Sequence, residues 1–179
     1  CLVGSEMCIR DRPMTPQDAA DVLVQTAAEG GVRFNQGALD EAVQLTRGYP
    51  YLVQLVGFHL FERAAAGGSV VESNDTLAVT PDVLETLGQL VHEPALRGVP
   101  PKQHEFLVAM AQVQHGNEAV SVSDIADELG GTLQSQSMAR KALLDRELIY
   151  SPRRGFLNFT IPHMGYHLDN EGIKDTGWD

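Results

Sequence analysis

The segment Arg47-Gly48-Tyr49-Pro50-Tyr51-Leu52-Val53-Gln54-Leu55 constrains this chain more than any other, because one helix must stop at its glycine and another must start at its proline. Glycine accepts the left-handed conformation that ends helices, and proline lacks only an amide that a first helical turn leaves unpaired. Two helices therefore meet at a tight corner. A residue without a side chain there lets other backbone approach closely. A purely geometric corner needs these residues and nothing more, and a corner that covers a ligand would use the same ones.

Around this corner the apolar spacing predicts nearly continuous helix until the last quarter of the chain. Thr15 and Pro16 form a cap and first-turn pair with Asp18 behind them, and Ala19, Ala20, Val22, Leu23 and Ala27 recur at helical spacing until Gly30-Gly31. A second helix is expected from Asn35, burying Leu39, Ala42, Val43 and Leu45. The third opens at Pro50, carries Leu52, Leu55, Val56, His59 and Leu60, and closes at Gly67-Gly68. Thr80-Pro81 predicts the start of a fourth, with Val83, Leu84, Leu87, Leu90 and Val91 inward and Pro94 as the interruption. The proline pair in Arg97-Gly98-Val99-Pro100-Pro101 reads as a joint, placing a domain boundary between residues 98 and 99.

Beyond the joint the pattern changes. A helix over 101–114 turns Phe106, Leu107, Met110 and Val113 inward, Ser123–Leu129 reads as a short capped helix, Gly130-Gly131 as a turn, and Gln134–Arg146 as the next helix. Leu148–Tyr150 and Leu157–Ile161 alternate at period two, joined by the polar tip Ser151-Pro152-Arg153-Arg154-Gly155. Helix, capped helix, glycine turn, helix and hairpin, in that order, predict a winged helix-turn-helix.

With 43% hydrophobic and 21% charged residues the chain is globular in composition, and no apolar run approaches the roughly 18 residues of a membrane span. Cys1-Leu2-Val3-Gly4-Ser5-Glu6-Met7-Cys8-Ile9-Arg10-Asp11-Arg12 resembles a translated transposon-end library adapter and is set aside, so that the natural chain is expected to begin near Pro13, cut in mid-gene. Both cysteines fall inside that segment, which leaves no disulfide or thiolate metal site and fits the cytoplasm. The net charge of −11 argues against non-specific coating of nucleic acid. Its distribution is uneven: residues 13–98 carry −7, residues 99–168 only −1, and the tail from Asp169 to Asp179 −3.

Lys102, Lys141 and Lys174 are the only lysines and none follows a glycine, so G-x-x-x-x-G-K-[ST] is absent, as is G-x-S-x-G. No catalytic residue is expected. His163 and His167 have a spacing that zinc ligands use, but without a third ligand they read as ordinary histidines of a terminal amphipathic helix, and no metal site is expected. The span from Pro13 to Leu168, with its Gly48-Tyr49-Pro50 corner and the wing from Leu148 to Pro162, resembles the C-terminal lid and winged-helix portion of AAA+/STAND-type P-loop ATPases, the branch that includes replication initiators and many bacterial ATP-binding proteins.

That resemblance implies a mainly α-helical fold: a helical lid over 13–98, a winged helix-turn-helix over 99–168, and a polar tail over 169–179. It implies that Tyr49 and Pro50 are the adenine-side contacts of ATP or ADP, with Gly48, Tyr51 and Arg47 beside them among the nucleotide-binding residues, the nucleotide being held with Mg by an N-terminal ATPase core not in this chain. Without Walker A and Walker B, no hydrolysis and no stable nucleotide binding are expected of this piece alone. Initiator-type relatives place an arginine just after the glycine turn to reach the γ-phosphate, where a fixed cation stabilises charge on the transferring group. Tyr51 cannot supply that charge; Arg47 is the substitute, or simply a favourable partner for the helix dipole.

The candidate DNA-reading residues are Gln134, Ser135, Gln136, Ser137, Arg140 and Lys141 on the predicted helix, with Arg153 and Arg154 on the wing. Asp124, Asp127, Glu128, Asp145 and Glu147 dilute the local field, so duplex DNA and a protein partner both remain open. A stand-alone winged-helix transcriptional regulator is the alternative from a different class.

Overall fold

Thr15 and Pro16 start the first helix as their chemistry requires. In this computed structural model, which describes residues 13–116, 118–132 and 134–175 with side chains through 170, α1 spans Pro16–Glu29, and the Thr15 hydroxyl accepts from the Asp18 amide at 3.1 Å. The adapter-like segment 1–12 lies outside the described residues. Helix α2 spans Gln36–Thr46 with Asn35 as its cap, and α3 spans Pro50–Gly67 with Pro50 in its first turn. Two short strands follow α1 and α3: β1, Arg33–Phe34, pairs in parallel with β2, Val70–Val71, placing Arg33 opposite Val70 and Phe34 opposite Val71. Strands of two residues have no period, so the sequence pattern carries no sign of them.

The fourth helix differs from expectation. Helix α4 spans Ser73–Leu87 and contains Pro81 rather than beginning there. Its start is set by Asp75, whose carboxylate accepts the Glu72 amide at 2.9 Å and pairs with Arg63 at 2.6 Å. Pro81 is exposed and costs the helix one amide, while the Thr80 hydroxyl turns back onto the Thr76 carbonyl at 2.7 Å. A π-helical turn, Gly88–His92, then leads into α5, Glu93–Leu96, with the Glu93 amide donating to the Gly88 carbonyl just ahead of Pro94. The wider turn changes the facing of side chains. Leu90, expected inward, is 63% exposed, whereas Leu87 and His92 are buried.

The chain divides within α4 into two compact units, Cys1–Val83 and Leu84–Asp179, upstream of the joint expected at 98. In the first unit α1, α2 and α3 pack pairwise, burying Leu23 and Ala27 from α1, Ala38 and Ala42 from α2, and Leu52, Val56 and Leu60 from α3. Leu39, Val43, Leu45 and Leu55 are only half-buried, because Ala38, Thr46 and Val53 take the innermost positions.

The second unit continues with α6, Pro101–Val113; β3, Val120–Ser121; α7, Val122–Glu128; α8, Ser137–Asp145; β4, Ile149–Tyr150; β5, Phe156–Phe159; and α9, Met164–Asp175. The sheet is antiparallel in the order β3-β5-β4, with Val120 opposite Leu157 and Ile149 opposite Phe159. Phe106, Leu107 and Met110 of α6 sit at the centre of its core with Ile125, Leu143, Ile149, Leu157, Met164 and Leu168. The fold is thus mainly helical with two small sheets, and helix, helix, helix, hairpin is the order that the sequence predicts, with β3 added. Helix α9 runs on through residues expected in the polar tail as far as Asp175; residues 176–179 lie outside the described residues. No described helix is long and apolar enough to cross a membrane.

Candidate functional site

The corner is built from the end of α2. Thr46 is buried, its hydroxyl donating to the Val43 carbonyl at 2.8 Å and accepting the Gly48 amide at 3.3 Å. Arg47 at φ 48° and Gly48 at φ 69° are both left-handed, so the reversal takes two residues where the sequence points to the glycine alone. The Tyr49 amide then donates to the Thr46 carbonyl at 2.9 Å, and Pro50 begins α3.

Backbone does approach Gly48, and it belongs to the chain itself. The Met14 amide donates to the Gly48 carbonyl at 2.7 Å, and a Cβ on Gly48 would stand 2.3 Å from the Met14 oxygen. Tyr49, Pro50 and Tyr51 are half-buried, as is Arg47, whose guanidinium burial pushes below its usual basicity. The five residues expected beside a nucleotide therefore form the turn after α2 and the first two residues of α3, with Met14 bonded to Gly48 on one side. The spacing at Gly48 announces a close approach without saying what makes it.

The candidate nucleic-acid interface differs in one respect from its sequence reading. Residues 134–136 form a turn ahead of α8, which begins only at Ser137. The Ser135 hydroxyl accepts the Thr132 amide at 3.1 Å and donates to the Thr132 carbonyl at 2.7 Å, and the Ser137 hydroxyl donates to the Gln134 carbonyl at 2.8 Å. Such local bonds compete with helix formation and hold the turn in place. Gln136 is half-buried, its amide close over Gly131. Gln134 and Lys141 remain exposed, and Arg140 is half-buried.

The wing is held from two sides. Its tip residue Gly155, at φ 81°, gives its carbonyl to the Val122 amide of α7 at 3.0 Å, and the Ser151 hydroxyl shares its one proton between the carbonyls of Arg153 and Phe156, at 2.8 and 2.9 Å. Arg153 lies over the Phe156 ring at 3.7 Å, which couples its cation to the aromatic face. Arg154 instead lines a cleft of about 300 Å³ between α8 and the wing, and Arg140 lines the same cleft. Sequence spacing does not reveal that Arg140 and Arg154 line one cleft, nor the exposure of Met138 at 83% on α8.

The histidines are arranged otherwise than spacing suggests. His163 precedes α9 at φ 61°, so it does not share a helix face with His167. His167 packs against buried His92 with ring centroids 4.9 Å apart, and His92 Nε2 bonds the Pro162 carbonyl at 2.9 Å. Among the described residues no group of three potential metal ligands forms.

A family model described as a domain of unknown function (DUF8462) matches residues 89–168, running from the π turn into α9 and so covering the core of the second unit. No curated protein matches the sequence. Among solved structures, the chain has a weak, distant likeness to the Thermotoga maritima RuvB Holliday junction branch migration motor, with 15% identity over 87% of this chain and 49% of that chain, and a TM-score of 0.38. The chain thus spans about half the length of that motor.

Proposed function

We propose that this chain is the lid and winged-helix portion of an AAA+/STAND-type ATP-binding protein, in which the first unit covers nucleotide bound by an N-terminal core and the second engages duplex DNA. The observation that carries this reading is the order of parts. A helical unit turned at Arg47–Pro50 precedes, in one chain, a unit built as helix, strand, helix, helix and hairpin. The half-buried Tyr49, Pro50 and Tyr51 supply the flat and apolar surface suited to an adenine edge, and Arg47 is the cation nearest to them in sequence. In the second unit, Gln134, Lys141, Arg140, Arg153 and Arg154 supply amide and cationic groups for base edges and phosphates. The chain has no phosphate loop of its own, so hydrolysis belongs to the parent protein.

A second reading, a winged-helix regulator with no nucleotide cover, is favoured by the Met14–Gly48 contact, which accounts for the glycine without a ligand. Two measurements separate them. The gene's upstream reading frame is expected to encode a strand followed by G-x-x-x-x-G-K-[ST]; unrelated sequence there removes the lid from the proposal. The whole chain is expected to bind mixed-sequence duplex DNA at low salt and to lose it at moderate salt. Absence of binding at low salt turns the second unit into a protein-contact module.

A further inference from the structure

We propose that the cleft between α8 and the wing holds a single phosphoryl group, clamped by Arg140 from the helix and Arg154 from the wing. Its assignment to a nucleic-acid backbone rests on the DNA reading above. Both arginines line one cleft of about 300 Å³, and no carboxylate lines it. Among the described residues neither side chain has a hydrogen bond or ion pair. In a chain of net charge −11, with Asp124, Asp127, Glu128, Asp145 and Glu147 all exposed in this same unit, two unpaired guanidinium groups sharing one concavity are placed against the prevailing charge. An anion held in this cleft gains charge-assisted hydrogen bonds from the guanidinium groups that line it.

Arginine suits this task because its planar fork matches phosphate oxygens in pairs. The wing side of the cleft is held by hydrogen bonds of the fold itself. Val122 holds the Gly155 carbonyl, and Ser151 ties the two arms of the wing together, so the Arg154 side of the cleft is fixed relative to α7 and the sheet. Arg153, lying on Phe156, is set apart from Arg154 by that contact and is not among the cleft's lining residues. A phosphate held there positions the unit on a duplex without reading sequence, which leaves discrimination to Gln134 and the start of α8.

The test uses the whole chain, its Arg140→Gln, Arg154→Gln and doubly substituted variants, and Lys141→Gln as a charge control outside the cleft. Binding of a mixed-sequence 20-base-pair duplex is measured across salt concentrations, with circular dichroism confirming that each variant is folded. One shared phosphate predicts that the double variant loses about 0.9 from the slope of log K on log salt in total, whereas two independent contacts lose about 1.8. Adding Lys141→Gln to the double variant lowers affinity further. A double variant with the wild-type slope, or one that loses about 1.8, overturns the clamp. Titration of the wild type with inorganic phosphate, followed by the NMR signals of the arginine Nε–H groups, is expected to shift those of Arg140 and Arg154 saturably. If duplex DNA fails to bind while phosphate still shifts both signals, the DNA reading falls and the cleft is a site for free phosphate. If neither probe binds, both fall.

Discussion

The Met14 amide and the Gly48 carbonyl are joined by a hydrogen bond of 2.7 Å, and the Met14 oxygen occupies the place that a side chain at residue 48 would need. This contact fastens the segment leading into α1 onto the turn between α2 and α3. Substitution of Gly48 by alanine meets two penalties together, a left-handed backbone and a Cβ 2.3 Å from a carbonyl oxygen. We expect Gly48→Ala to destabilise the first unit by at least about 2 kcal/mol in urea unfolding. The same loss is expected with or without ATP, since it arises in the fold. A neutral substitution would remove Met14 as the reason for the glycine.

Acid should weaken the second unit through His92. Burial, with smaller contributions from His167 and His163, holds this imidazole at about 4 against its ordinary 6.5, although the Pro162 carbonyl acts in the opposite direction. The folded state therefore resists a proton that the unfolded chain accepts. Stability is fully present above pH 6.5 and is lost as the pH falls toward 4, by a maximum on the order of 3 kcal/mol. His92→Gln keeps an amide donor for Pro162 and removes the titration. Unfolding at pH 7 and pH 4.5 should show a smaller acid loss in the variant than in the wild type; equal losses would assign the acid sensitivity elsewhere.

Asn158 is a buried polar residue inside the wing. Its side-chain oxygen accepts the Gln114 side-chain amide and the Phe159 backbone amide, each at 2.9 Å. Replacement by alanine leaves both donors without that acceptor, and thermal unfolding should report a loss of about 1–3 kcal/mol. An unchanged midpoint would mean that both donors find other partners at no cost.

The start of α7 depends on Ser121, whose hydroxyl accepts the Ser123 amide at 3.2 Å. Ser121→Ala should cost about 1 kcal/mol, and Ser121→Asn should recover most of it because asparagine caps as well. Equal stability of the alanine and asparagine variants would remove the cap from the account.

Sequence alone determined the features that depend on neighbours along the chain. The caps at Thr15 and Asn35, the helix start at Pro50, the inward Phe106, Leu107 and Met110, and the wing all follow from local conformational preference and apolar spacing. Where a local signal was ambiguous, packing decided. Pro81 looks like a helix start but lies within α4, and Leu90 lies on the predicted apolar stripe but is turned outward by the π turn. Only the tertiary structure brought Met14 to Gly48, His167 to His92, and Arg154 into the cleft lined by Arg140. Met14 and Gly48, like His92 and His167, are widely separated along the chain, and no periodicity or spacing encodes which distant residue fills the space left by another.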